Sequence, residues 1–454
     1  MPDNYLQEPL NRRKLLRNLG MAAASAGGAA MVLNRPVAAQ SSAGAYWNVK
    51  DFGAVGNGAT DDTAAFQNAL NAAGVAKGGI VIAPRGDYRI NGTLSIPSYV
   101  TLEGVFTAPT AFSQYHGTTL LAYSGRGNAN GTPFITLDGL NSTIKGLTIF
   151  YPEQNNPNAI VPYPWTIRGG SSNDNIDNVT VLDVLLVNPY QAVDFATYRC
   201  GRHLIRGLYG QPLRYGIWVD KCLDIGRIED VHFWPFWDIN ALPFMASSSA
   251  AHAATALHFG RSDWQIVNNF FGLGYHVGVQ FGEGSDGLNP PTVGSTNGQF
   301  SNLNLDAMNC GLDVYAIAPY GVQITNLNIA CTSNLGQDIR RAIWSHNTAP
   351  YIGMLSIVNG SFWGSFLAEA IRWEKGEPLQ IASSRFLGWA SGQPAIDIVG
   401  GRATISGNYF QDQTGKSVRV NSGAQEVIVT GNQLLGNPVE SYGPPGLRLI
   451  ANNL

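Results

Sequence analysis

Charge is scarce in this chain. Of its 454 residues only 13% are Asp, Glu, Lys or Arg, the net charge is −3, and no Lys/Arg run follows residue 17. Without a basic face there is no electrostatic footprint for a phosphate backbone, and no nucleic-acid partner is expected. Cysteine is rare as well, present only as Cys200, Cys222, Cys310 and Cys331. No C-x-x-C pair or His/Cys cluster accompanies them, so no metal site is predicted. Their separations of 22 and 21 residues each match about one period of the repeat described below. Each pair could therefore bridge neighbouring turns as a disulfide or lie buried as two small thiols. A long apolar run is the third absence. The stretch from Gly20 to Leu33 is short and Gly-rich for a membrane span, so no stable membrane insertion is expected.

That stretch has another reading. It follows N-R-R-K-L-L-R (11–17) and precedes P-V-A-A-Q (36–40), the order of an export signal with cleavage after Ala39. Residues 1–39 are thus expected to be removed, leaving 40–454 as one domain. The Arg12-Arg13 pair resembles the twin-arginine signal of bacteria. This implies export in the folded state to a periplasmic or secreted location.

What the chain has in abundance is glycine (53 residues), asparagine, valine and isoleucine. Short apolar strands recur, each with one polar or aromatic residue between apolar neighbours, as in V-D-F (193–195), I-W-V (217–219), L-H-F (257–259) and I-D-I (396–398). Alternation turns the middle residue outward. Laid in register, these residues form a column: Asp194, Trp218, Asn240, His258, Gln280, Asp313, Trp344, Arg372, Asp397. Successive spacings of 24, 22, 18, 22, 33, 31, 28 and 25 residues describe a solenoid with one such strand per turn. A second pattern, apolar-x-apolar followed by Asn or Gly and an apolar residue, recurs from I-T-N-L-N-I (324–329) to V-I-V-T-G-N-Q-L (427–434). Asn at a tight bend tolerates left-handed backbone and can bond to its equivalents on adjacent turns, so these asparagines are expected to be structural.

The segment 47–104 starts the fold. Thr60, Asp61 and Asp62 are helix-start residues, and Ala65, Phe66, Ala69, Leu70 and Ala73 follow helical spacing. Strands follow at G-G-I-V-I (78–82) and Y-R-I (88–90). The order strand, G-x-G-x-x-D-D-T, helix, G-G, strand, P-x-G-x-Y resembles the N-terminal cap of the pectate-lyase-like superfamily, which includes polygalacturonases and tailspike enzymes. The resemblance implies an all-β, right-handed parallel β-helix capped by this helix. It implies structural roles for Asp61 and Asp62, and it allows a homotrimer.

The outward column should line a groove for a polysaccharide or oligosaccharide. Glycoside hydrolysis needs two carboxylates, and adjacent turns about 4.8 Å apart could supply them. Asp194, Asp220, Asp238, Glu283 and Asp313 are the acids on or beside the column. Asp220 is expected to face as Trp218 does, and Asp238 to begin a groove strand. G-L-G-Y-H-V-G (272–278) resembles the histidine motif of polygalacturonases, which places His276 with the catalytic candidates Asp238, Asp220, Asp194 and Glu283. Substrate contacts are assigned to Trp218, Arg214, Tyr215, His258, Asp313, Trp344 and Arg372, with Arg214 or Arg372 holding a sugar carboxylate. The leading expectation is a hydrolase without cofactor. A lyase acting on uronic acids, using His258 or His276 and often calcium, is the alternative. A carbohydrate-binding or adhesive β-helix without catalysis is the third reading.

Overall fold

The structure, a computed structural model, describes residues 46–454 except 111–115, 173–175, 333, 349, 412–414 and 444–446. The expected export signal, residues 1–39, lies outside the described residues. The rest is a right-handed parallel β-helix whose turns contribute to two long sheets, one of 20 strands and one of 13.

The 13-stranded sheet carries the column. Its register runs Arg168, Asp194, Trp218, His258, Gln280, Asp313, Trp344, Arg372, Asp397, Arg419, one residue per turn. The predicted column is therefore recovered, except at Asn240. Residues Ile239–Ala241 form a short 3-10 turn and Leu242–Ala246 a single helical turn. Trp218 pairs directly with His258 across this excursion. Asp238 thus begins no groove strand; Pro243 in the first helical turn and the local capping chemistry make this apolar segment helical.

Alternation within these strands is interrupted at one small residue each, including Gly216, Ala256, Gly278, Gly311 and Ala342, which drop out of the pairing register. A Cβ at Gly216 would lie 2.2 Å from the Ala256 carbonyl oxygen, and one at Gly311 would lie 2.6 Å from that of Ala342. The backbone bends inward there, and the residue before each bend, such as Tyr215 or Thr255, emerges as a second outward row.

The larger sheet bends at a ladder of left-handed residues: Gly146, Asp183, Gly207, Asp230, Asn269, Asn302, Asn326, Asn359, Ser383, Gly407, Gly431 and Asn452. Amides link it along the helix axis, Asn359 to Asn326 at 2.7 Å and Asn326 to Asn302 at 2.9 Å. A buried second ladder joins Asn408 to Asn432 at 3.0 Å and Asn432 to Asn453 at 2.8 Å. Inside, ladders such as Leu303, Leu327 and Val267, Phe300, Ile324, Ile357 fill the core.

The helix Thr63–Val75 closes the N-terminal end, burying the five predicted residues. Asp61 Oδ1 accepts the Thr63 N–H at 3.0 Å, and Asp62 accepts those of Val55 at 2.6 Å and Gly56 at 3.0 Å. Both carboxylates hold backbone in place. All four cysteines are buried free thiols, and no helix among the described residues is long and apolar enough to cross a membrane.

Candidate functional site

One cleft of about 350 Å³ opens on the 13-stranded sheet. The middle column supplies Trp218, His258, Gln280 and Asp313, and the row freed by the bends supplies Tyr215, Thr255 and Val277. Arg214 and His276 stand at the edge where the strands begin, and Tyr315 at the opposite edge. The cleft thus gathers six of the predicted residues: Arg214, Tyr215, Trp218, His258, His276 and Asp313.

The Trp218 indole stacks on the His258 ring, with centroids 5.2 Å apart and planes 14° from parallel. Trp165 stacks on Tyr215 at 6.0 Å. Burial lowers the pKa of His258 to about 4, against the pull of Asp313, so its imidazole is neutral at pH 7. Gly282 leaves it room, since a Cβ there would sit 3.2 Å from Nε2. His276 is also held below the usual histidine range by burial. Its Nδ1 lies 3.1 Å from the Asn309 Nδ2. The Asn309 oxygen accepts the N–H groups of Ile339 at 2.7 Å and Arg340 at 2.9 Å, which fixes the amide's orientation. Nδ1 of His276 can therefore accept from this amide, an arrangement that favours the tautomer with the proton on Nε2.

Arg214 donates to the Ala250 carbonyl at 2.9 Å and lies over the Tyr215 ring at 4.7 Å. It has no acidic partner among the described residues. Asp313 is the one carboxylate lining the cleft, and it is already engaged. It accepts from Gln280 at 3.0 Å and lies 2.6 Å from His346 Nε2. His346 is itself clasped between the Tyr315 ring at 4.0 Å and the Trp344 ring at 4.4 Å. Burial, with Asp313 adding to it, pushes the Tyr315 phenol up to about 12.

The remaining predicted residues have other employment. Asp194 is fully buried, pairs with Arg168 at 2.7 Å and accepts the N–H groups of Ala196 and Thr197. Asp220 follows its strand and pins a loop, accepting the N–H groups of Arg261 at 2.7 Å and Ser285 at 3.1 Å. Asp238 caps the 3-10 turn through the Asn240 N–H at 2.8 Å. Glu283 is exposed, just beyond the strand Val277–Phe281. Trp344 packs under Arg341 at 4.7 Å and beside His346. Arg372 is committed to Glu374 at 2.6 Å, Asp397 at 3.2 Å and Glu369 at 3.6 Å. The expected carboxylate pair therefore does not form in this cleft. Sequence reasoning missed Tyr315 and His346, although each stands two positions after a column residue on successive turns.

Comparison with known proteins agrees with this architecture. A family described as rhamnogalacturonase A/epimerase, pectate lyase-like, matches residues 46–189. The N-terminal fragment of bacteriophage Phi29 gene product 12 superposes with a TM-score of 0.60 at 14% identity, covering 89% of this chain and 72% of that one. The match over residues 46–189 and these likenesses in fold support a place among the pectate-lyase-like parallel β-helices. This β-helix also resembles the A-module of mannuronan C-5 epimerase AlgE4 of Azotobacter vinelandii, with a TM-score of 0.52 at 14% identity over 89% of this chain and 100% of that module. At such identity the likeness establishes the fold alone. By sequence, mannuronan C5-epimerase AlgE3 of the same organism is 40% identical over 107 residues, 20% of this chain and 6% of that protein. Alginate lyase 7 of that organism is 59% identical over 46 residues, 10% of this chain and 5% of that protein. The chain spans a small fraction of the length of these curated relatives.

Proposed function

We propose that this β-helix acts on a uronic-acid polysaccharide by removing the proton beside the sugar carboxylate, as a lyase or an epimerase, rather than by hydrolysis. One observation carries the reading. The cleft offers two neutral imidazoles and a guanidinium with no acidic partner among the described residues, but a single, already bonded carboxylate. Hydrolysis by paired carboxylates lacks its second acid there. The names of the relatives, mannuronan epimerases and an alginate lyase, support a uronan as substrate.

In this scheme Arg214 binds the sugar carboxylate in a fork and withdraws charge from it. His258, neutral at pH 7, accepts the C5 proton. His276, with its proton on Nε2, stands on the next turn, four positions nearer the strand start than Gln280, the register partner of His258, and lines the same cleft. In elimination the C5–H electron pair forms the C4–C5 double bond, the C4–O bond breaks, and His276 protonates the leaving oxygen. In epimerisation the C4–O bond stays intact, His276 delivers a proton to the opposite face of C5, and exchange with solvent restores both imidazoles. Trp218 and Tyr215 supply flat surfaces for the sugar faces. Among the described residues no three His, Cys, Asp or Glu side chains converge as a metal cluster.

Incubation with alginate, mannuronan and polygalacturonate in D2O tests the reading. Unsaturated ends absorbing in the ultraviolet identify the lyase, and deuterium at C5 without chain shortening identifies the epimerase. New reducing ends that are saturated would overturn the proposal in favour of hydrolysis.

A further inference from the structure

We propose that the bend of the 20-stranded sheet carries a second, non-catalytic carbohydrate-binding site that holds the polymer while the cleft works on it; this rests on the uronan reading above. A depression of about 550 Å³ lies there, on turns spanning Asn326 to Tyr409, on a sheet other than the one that holds the cleft.

The hollow arises from the ladder itself. At the left-handed position Asn302, Asn326 and Asn359 fill the bend with amides, and the next residues in register shrink to Ser383 and then Gly407. A Cβ at Gly407 would meet nothing nearer than the Ser383 nitrogen at 4.0 Å. Beside this step the column two residues on reads Asn328, Ser361, Arg385, Tyr409.

These groups are unspent. Asn328 donates to Asn304 at 2.8 Å, but its oxygen accepts nothing among the described residues. The hydroxyls of Ser361, Ser383 and Tyr409 likewise have no partner among the described residues. Arg385 is exposed, with one bond to Gln411 at 3.3 Å. No carboxylate lines the depression. Amides, hydroxyls and a phenol ring at intervals of about 4.8 Å match the spacing of hydroxyls along a sugar chain. The lone guanidinium, unopposed by any acid, selects a chain bearing carboxylates.

The ladder also supplies the test. Ser383→Asn with Gly407→Asn continues the amide column and fills the hollow with a residue that tolerates left-handed backbone; an unchanged melting curve checks the fold. Arg385→Gln removes the cation alone. Electrophoretic retardation of the full chain in gels containing alginate reads binding, and turnover of alginate and of short alginate oligosaccharides reads the cleft. The filled variant should bind the polymer at least fivefold more weakly and turn it over more slowly at low concentration, with oligosaccharide turnover unchanged; Arg385→Gln should weaken binding in the same direction. Wild-type retardation by the filled variant overturns the second site alone. Hollow-dependent retardation without turnover of any uronan supports the second site and overturns only the cleft's proposed chemistry. Absence of both retardation and turnover overturns both.

Discussion

His203 gives this fold a built-in sensitivity to acid. The side chain is fully buried, with Nδ1 3.1 Å from the Cys200 carbonyl, the Phe195 ring 5.1 Å away, and Nε2 without a partner. Burial lowers its pKa from 6.5 to about 4, with Arg227 acting in the same direction. Above the unfolded value, folded and unfolded chains are both neutral at this site and nothing depends on pH. Between 6.5 and about 4 the unfolded chain binds a proton that the folded one refuses, so stability falls as the pH falls. Linkage with these two values gives a loss of roughly 2–3 kcal/mol at about pH 4.5. His203→Asn retains a donor for the Cys200 carbonyl but never charges. Urea midpoints followed by tryptophan fluorescence at about pH 7.5 and about pH 4.5, for both proteins, separate the contribution of His203 from that of the other buried histidines. The wild type should lose roughly 2–3 kcal/mol more than the variant over this interval. Parallel losses within about 0.5 kcal/mol would refute the assignment.

Four further outcomes are expected. Asp238→Asn preserves the cap and leaves turnover unchanged, whereas Asp238→Ala costs about 1 kcal/mol; urea unfolding and a uronan assay read the two effects. Asn326→Ala places alanine at a φ of 56° and removes two amide bonds, so it should cost about 2–3 kcal/mol in urea unfolding. Arg214→Ala should lower kcat/KM on a uronan by about 10- to 100-fold, the loss of a charged hydrogen-bonding partner. Because His258 titrates near about 4, kcat should hold from neutrality to about pH 5 and fall as the pH approaches 4. A drop centred near 6.5 would assign the base elsewhere.

Much of this was legible in the chain. The V-D-F and L-H-F pattern places inward and outward residues correctly over most turns because one face of each strand must bury apolar groups. The asparagine bends were legible because few residues other than Gly and Asn enter left-handed backbone cheaply. The misplacement of Asn240 has a local cause. F-W-D-I-N-A-L-P-F is as apolar as a strand, and an interval of 40 residues divides into two steps of ordinary length. The carboxylates failed for another reason. Spacing along a strand reports which way a residue faces, but not which partner claims it. Asp194, Asp220 and Asp238 are each taken by backbone N–H groups from loops whose paths no periodicity describes. His346 and Tyr315 were within reach, because equal offsets on successive turns place two rings in stacking distance.

The excursion between Trp218 and His258 has a wider consequence. A segment containing two helical turns leaves the stack and returns, yet the two residues remain neighbours in register. Hydrogen bonds between adjacent strands set the pitch of the column, and the length of chain between them does not enter. Loops in such a protein can grow, shrink or be exchanged while the reading head they surround stays aligned. Specificity can thus be revised by editing the connections, with the ruler beneath them left untouched.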